Sequence, residues 1–286
     1  MRVVSWNMNH CRRSPDARAR AWSYLRDTLR PDVALLQEVA PPSGLAAVYK
    51  AIDATSARYD WGSAIVALSP QYELLEWDRR LLTAPPAERT LPESHPGTTA
   101  VADVVRKDTG QTCFVAASVY GQWDYLPSGD IYSASTIHRI LSDLTPLLVW
   151  TARKPHKTPV LLAGDFNATT QVAATVQWKV EEEEADVLFR RIRALGLHDV
   201  VTHTAGSRPR LDPCSCPRPN DCSHVRTYRN NNKTDSRPTQ LDYAFCSEAL
   251  LRRVVACEVH DLEPAWALSD HCPLVLDLAD AASGTA

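Results

Sequence analysis

Short apolar stretches alternate along the chain with longer segments of helical spacing. Arg2–Trp6 is β-branched and apolar and reads as a strand. Residues 16–30 carry Ala17, Ala21, Tyr24, Leu25 and Thr28 at helical spacing, with Ser14 as cap before Pro15. Asp32–Leu36 is a compact apolar strand ending on Gln37-Glu38, and residues 44–53 predict a short helix. Residues 61–68 and 71–77 predict neighbouring strands joined at Ser69-Pro70. Residues 99–106 and 112–120 predict a hairpin that turns through Lys107-Asp108-Thr109-Gly110. Residues 133–152 form a long amphipathic helix, and Val160–Ala163 is a buried strand that stops at Gly164-Asp165. The acidic run Glu181–Glu184 suits the positive end of a helix dipole, so it opens a helix to about Leu195. Gln240–Cys246 and Pro273–Leu278 complete the strands.

Residues 205–238 break this rhythm. They are rich in Pro, Asn, Arg and Cys and show no period, which marks a long loop or insertion. Residues 279–286 read as a frayed tail. Repeats and linkers are absent, so one domain over residues 1–278 is expected.

Composition narrows the classes. Of 286 residues 44% are apolar and 23% charged, which is ordinary for a globular protein. A net charge of −3 excludes a basic coat protein, so any polyanion must be steered by a local patch. No apolar run reaches the ~20 residues needed to cross a bilayer, and no membrane partner is expected. The strand-like start lacks a secretory pattern, which points to the cytoplasm and to eight cysteines held reduced. Nothing marks a protein partner, and a monomer is the expectation.

The candidate chemistry sits at strand ends, where α/β proteins gather reactive groups on rigid supports. Asn7 follows the first strand, Glu38 the second and Tyr120 the 112–119 strand. Asp165 and Asn167 follow Val160–Ala163, Asp242 lies in its own strand, and Asp270-His271 precedes the last. So many carboxylates together need a balancing cation, and an all-oxygen set of carboxylates and amides suits Mg²⁺ or Mn²⁺.

Five segments occur in order across nearly the whole chain. They are Ser5-Trp6-Asn7, Leu36-Gln37-Glu38, Gly164-Asp165-Phe166-Asn167, Leu241-Asp242-Tyr243 and Ser269-Asp270-His271-Cys272-Pro273. Each alone is a weak signal. Together they resemble the signature motifs of the endonuclease/exonuclease/phosphatase superfamily. The resemblance implies an α/β four-layer sandwich, two mixed sheets face to face with helices outside. It also implies that Glu38 binds the metal, that Asn7 helps hold it or the phosphate, and that Asp270 supports it. By the same resemblance His271 and Asp242 pair at the scissile phosphate, Asp165 orients or deprotonates water, Asn167 positions it, and Tyr120 contacts phosphate.

The expected substrate is nucleic acid, with DNA favoured over RNA. Residues 207–238 hold Arg208, Arg210, Arg218, Arg226, Arg229, Lys233 and Arg237 against Asp212, Asp221 and Asp235. That segment is net +4, leaving −7 for the rest, and it runs into Asp242. Thr227-Tyr228 within it resembles a Thr-aromatic pair that precedes the Leu-Asp-Tyr strand in the family. The alternatives are a phosphatase acting on a small phosphorylated metabolite or lipid headgroup, and a non-catalytic binding module. Within the same loop Cys214, Cys216, Cys222 and His224 match the ligand count of a structural Zn²⁺ site. Cys-x-Cys is tighter than usual zinc spacing, and free cysteines in a mobile loop are the competing reading.

Overall fold

Along the first strand, Val3 and Ser5 point one way and Val4 and Trp6 the other, and both faces are buried. A strand apolar on both sides belongs in the middle of a layered structure. The computed structural model shows this. It describes all residues except 53–59, 81–88, 123, 126–130, 133, 154–157, 172–175, 208–210, 213, 215, 217–221, 231–238 and 281–286.

The first sheet contains β1 (Arg2–Asn7), β2 (Val33–Val39), β3 (Ala46–Ala51) and β4 (Gly62–Ala67). The second begins with β5 (Tyr72–Glu76); a small ribbon follows from β6 (Asp78–Arg80) and β7 (Thr90–Pro92). The second sheet resumes with β8 (Thr99–Arg106) and β9 (Gln111–Tyr120), and β10 (Asp124–Tyr125) and β11 (Ile131–Tyr132) pair apart. It is completed by β12 (Val160–Asp165), β13 (Leu197–Asp199) and β14 (Asp242–Ser247). The chain then returns to the first sheet as β15 (Val254–Val259) and β16 (Leu274–Leu278). The orders are β15-β16-β1-β2-β4-β3 and β13-β14-β12-β9-β8-β5. Each sheet is mixed, because β1/β2 and β9/β12 run parallel and the other pairs antiparallel.

The sheets face each other across one core that includes Val3, Val33, Leu35 and Ile65 from the first. Phe114, Ala116, Leu161 and Ala244 come from the second. On the outer face of the first sheet lies α1 (Pro15–Ser23), with Ala21 and Trp22 against Trp6 and Leu36. On the outer face of the second lie α2 (Ala134–Arg153) and α3 (Val176–Ala194), with Ile140, Leu144 and Phe189 against Val115, Leu162 and Phe245. This is the four-layer α/β sandwich expected. Among the described residues no helix is long and apolar enough to cross a membrane.

Several local expectations are corrected. Within residues 44–53, the stretch expected to be a helix, Ala46–Ala51 form β3 instead. Ala46, Ala47 and Ala51 favour helix, but pairing with β4 and burial of Val48 against the core override that weak preference. The helix expected over 16–30 is α-helical only to Ser23; Tyr24–Leu29 continue as a π-helical turn that ends on Arg30 at φ 51°. Helix α3 starts at Val176, so the acidic run lies inside it. Strands β4 and β5 sit in different sheets, with Ser69-Pro70 carrying the chain across. The tail begins pinned: Ala279 donates its N–H to Arg253 O at 2.7 Å and Arg106 pairs with Asp280 at 2.8 Å. Residues 281–286 of that tail lie outside the described residues.

Candidate active site

Strand alternation builds the site. The inward series Val3-Ser5-Asn7, Phe114-Ala116-Ser118-Tyr120 and Leu161-Ala163-Asp165 each turn from apolar to polar at the same end of the sandwich. β14 runs the other way and presents Asp242 there, with Ala244 and Cys246 deeper in the core. Asp165 is in register with both Asp242 and Tyr120, and Asn7 with Gln37. Beneath this polar end Gln37 Nε2 donates to Ser118 Oγ at 2.9 Å, and that hydroxyl donates to Leu36 O, so the sheets are stitched where the core stops.

Glu38 would by alternation face outward with Leu36. A bulge between Leu36 and Val39, with Glu38 at φ 47°, turns it to the site instead. Asn9 (φ 49°) and Asn167 (φ 46°) share this left-handed backbone, so three polar residues here sit in a conformation that costs about 1–3 kcal/mol each.

At the centre His271 Nδ1 lies 2.8 Å from Asp242 Oδ2, and His271 Nε2 lies 3.8 Å from Asp165 Oδ2. All three are buried. Asp165 Oδ2 accepts from Asn7 Nδ2 at 2.9 Å and from Asn167 Nδ2 at 3.2 Å, while Oδ1 accepts the Asn167 N–H at 2.8 Å. The Asn167 amide is in turn held by Gly121 O at 3.0 Å. Asn7 Nδ2 also donates to Glu38 Oε1 at 3.2 Å, and Asn7 Oδ1 accepts the Asn9 N–H, so Asn7 bridges two carboxylates as a donor. Tyr120 is almost fully buried and bonded to Glu38; burial and the Glu38 and Asp165 charges push its hydroxyl well above the usual range.

Asp270 meets this group from the other side. Asn9 Nδ2 donates to Asp270 Oδ1 at 2.6 Å, and the Cys11 thiol lies 2.9 Å from Glu38 Oε2, to which it donates, and 3.4 Å from Asn9 Oδ1. Asn9 and Cys11 were not singled out in the sequence; each becomes visible only when the loop after β1 folds between Glu38 and Asp270. Two further supports are Ser269, which donates to Asn7 O at 2.8 Å and accepts the His271 N–H, and Trp6, whose indole holds His271 O at 2.9 Å.

Two groupings have the chemistry of a divalent-metal site. Asp165, Asp242 and His271 offer donor atoms within 4.8 Å of one another. A 2.8 Å Nδ1···Oδ2 contact is a hydrogen bond, however, and leaves no room for an ion between those atoms. The carboxylates of Glu38 and Asp270 are the hard oxygen donors a divalent cation needs, and the Asn7 and Asn9 amides donate to them at 3.2 and 2.6 Å.

The buried imidazole is electrostatically unusual. Burial alone would lower its pKa, but the Asp242 and Asp165 carboxylates overcome that and raise it to about 10. Asp165 is pushed up to about 7 by burial, opposed by the His271 charge and reinforced by Asp242. The sign for stability follows from linkage. Unfolded, a histidine releases its proton near about 6.5. Folded, His271 keeps it to about 10, so its stabilising contribution is complete below the unfolded value and lost as pH rises through the folded one. Metal-free protein should therefore lose stability to urea between pH 7 and 10, and His271→Asn should flatten that slope. Equal slopes for both proteins would contradict the electrostatic reading.

The segment before β14 closes over the pair. Tyr228 forms isolated bridges to Thr239 and to His271, and its ring centroid lies 5.0 Å from that of His271. Thr227 Oγ1 accepts the N–H groups of Leu241 and Asp242 at 2.9 and 3.0 Å. Of the basic loop residues only Arg226 and Arg229 are described; Arg208, Arg210, Arg218, Lys233 and Arg237 lie outside the described residues. Arg229 pairs with Glu263 at 3.3 Å and stands over the Trp266 ring. Earlier in the loop Cys214, Cys216, Cys222 and His224 come together, their donor atoms within 4.8 Å of one another.

A buried histidine–aspartate pair with a second aspartate and a glutamate thus stands at the open end of two facing sheets. The chain belongs to the Endonuclease/Exonuclease/phosphatase family, whose sequence profile matches residues 4–271, and that family's enzymes are metal-dependent. No curated protein sequence matches the chain. Among solved structures it is similar to the AP endonuclease LMAP from Leishmania major, with 17% identity, 98% of this chain and 88% of that one covered, and TM-score 0.68. It is also similar to the 3′-5′ exonuclease NExo from Neisseria meningitidis, with 19% identity, 98% and 100% covered, and TM-score 0.61. A structure of the 3′ phosphatase NExo from Neisseria bound to product DNA hairpin matches at 18% identity, 97% and 99% covered, and TM-score 0.59.

Proposed function

We propose that the protein is a Mg²⁺- or Mn²⁺-dependent nuclease that hydrolyses phosphodiester bonds, with DNA as the favoured substrate. The observation that carries this reading is the buried Asp165–His271–Asp242 arrangement at the open end of the sandwich. Asp165, poised near neutral pH, takes a proton from the attacking water, the condition in which a general base works best. Asp242 orients His271 and favours its protonated form, leaving Nε2–H to donate to a nonbridging oxygen as charge builds on the phosphate. Asn7 and Asn167 hold Asp165 in place, and Tyr120 contributes its hydroxyl beside Glu38. Glu38 and Asp270, with Asn7 beside Glu38, are the residues that would hold the metal. The ion would supply positive charge to the nonbridging and departing oxygens.

DNA is favoured because the similar structures include DNA-processing enzymes, one with a DNA product bound. The test is incubation with supercoiled plasmid, single-stranded DNA, RNA and a phosphomonoester panel, each with Mg²⁺ or Mn²⁺. Cleavage of DNA supports the reading; turnover of phosphomonoesters with plasmid untouched overturns it. A second reading, removal of a 3′ phosphate from DNA, is favoured by the description of NExo both as exonuclease and as phosphatase.

Phosphate capture gives a separate prediction. Arg226 and Arg229 flank the Thr227-Tyr228 pair beside His271. Changing both to alanine should reduce the salt dependence of DNA cleavage by roughly one to two phosphate contacts' worth of slope. Turnover of a small phosphodiester should be spared. An unchanged slope would return these arginines to a solvated surface role.

A further inference from the structure

The loop between β13 and β14 contains, besides its cysteines, only Ala205, Leu211, Val225 and Tyr228 as apolar residues over positions 205–238. That is too little to order a segment by burial. Residues 222–230 are held against the catalytic pair by hydrogen bonds through Val225, Thr227 and Tyr228, but the cysteine stretch before them has little to pack. The geometry points to a structural Zn²⁺ held by Cys214, Cys216, Cys222 and His224, which anchors the strand-like segment 222–230 behind His271 and Asp242.

The distances favour a shared cation. With Zn–S about 2.3 Å and Zn–N about 2.0–2.1 Å, a tetrahedral sulfur-to-nitrogen edge is roughly 3.5–3.6 Å. Cys214 Sγ lies 3.6 Å and Cys222 Sγ 3.5 Å from the same nitrogen, His224 Nδ1. One ring nitrogen has a single hydrogen or a single lone pair, so it cannot hydrogen-bond well to both thiols at once. A metal at the common centre accounts for both contacts, and Cys216 completes the fourth corner. All the cysteines are free thiols, and a disulfide would join two of the three and strand the other. The opposite ring nitrogen, His224 Nε2, is 3.0 Å from Thr170 Oγ1, the kind of outer contact that orients a ligating imidazole.

The same cluster is wired to the active site. Gln171 Nε2 donates to Cys214 Sγ at 3.5 Å, and Gln171 Oε1 accepts the Gln240 N–H at 2.7 Å. Gln240 Oε1 accepts the Val225 N–H at 3.1 Å. Gln240 precedes Leu241 and Asp242, whose N–H groups are held by Thr227. The metal thus fastens the loop on which Thr227 and Tyr228 reach the pair, and its ligands act as positioning residues. This holds whichever phosphate ester is cut.

The test begins with metal content. Protein purified without added metal should contain about one zinc per chain, falling to below about a tenth in Cys216→Ser and in Cys222→Ser, as for loss of one of four structural ligands. His271→Ala should keep its zinc. Should the cysteine variants fail to fold, wild-type protein grown with Co²⁺ serves: tetrahedral thiolate ligation gives intense thiolate-to-cobalt absorption, whereas oxygen ligation gives only weak bands. His224→Cys should retain the metal, and its backbone amides at 222–230 should stay protected from hydrogen exchange. Wild-type protein without zinc and without the cobalt charge-transfer band would overturn the site. So would zinc that leaves with His271→Ala and stays in the cysteine variants.

Discussion

Replacing His271 with alanine is expected to lower turnover by on the order of 10²–10⁴-fold while the protein stays folded. The imidazole is a buried group that carries positive charge between two carboxylates, and removing it takes away the cationic donor aimed at the phosphate. Asp165→Asn should cost a similar factor for a different reason, because an amide cannot take the proton from water. Asp242→Asn separates the two roles. It preserves the shape of the contact but removes the charge that holds the His271 proton up to about 10, so the alkaline limb of the pH–rate profile should move to lower pH. Single-turnover rates with a short duplex, with circular dichroism to verify folding, make the comparison. Full activity of His271→Ala would sink the mechanism.

Much of this site could be read before the fold was known, and the reason is local. Asn7, Tyr120, Asp165 and Asp242 lie on period-two strands, where an apolar series ending in a polar residue already places that residue at a sheet's end. Glu38 was legible only by its motif, since the bulge that redirects it has no signature in Leu36-Gln37-Glu38. Asn9 and Cys11 depend on how the loop after β1 packs, which spacing does not encode. The strands of the two large sheets that were missed, β3, β13 and β15, share one property. They lie at sheet edges or beside them, half exposed, so their hydrophobic pattern is diluted and only pairing with a neighbour defines them. The acidic run in α3 misled because charges suited to a helix start are equally at home on a solvated helix face.

Gly164→Ala should damage both stability and activity, although Gly164 touches no substrate in the proposed mechanism. The strand runs through it and ends at Asp165, as the Gly164-Asp165 stop in the sequence suggests. Gly164 has φ +154°, and it is in register with Val119 on the parallel neighbour β9. A Cβ there would come within 1.9 Å of Val119 O, a backbone atom that cannot rotate away. The two central strands of the second sheet must then part immediately beneath Asp165 and Tyr120, the residues they are meant to present. Backbone strain of this kind is expected to cost about 2–4 kcal/mol, and so to lower the melting temperature by roughly 5–15 °C for a chain of this size. Turnover should fall even well below the new melting temperature, because displacement of Asp165 also breaks its bonds to Asn7 and Asn167. Gly110→Ala is the natural control: that glycine also has a positive φ, +66°, but a Cβ there meets nothing, and it sits in the distant β8–β9 turn. Its variant should lose some stability from the backbone alone and keep full activity. Equal losses of activity in the two variants would mean that the close approach of β12 to β9 does not position Asp165.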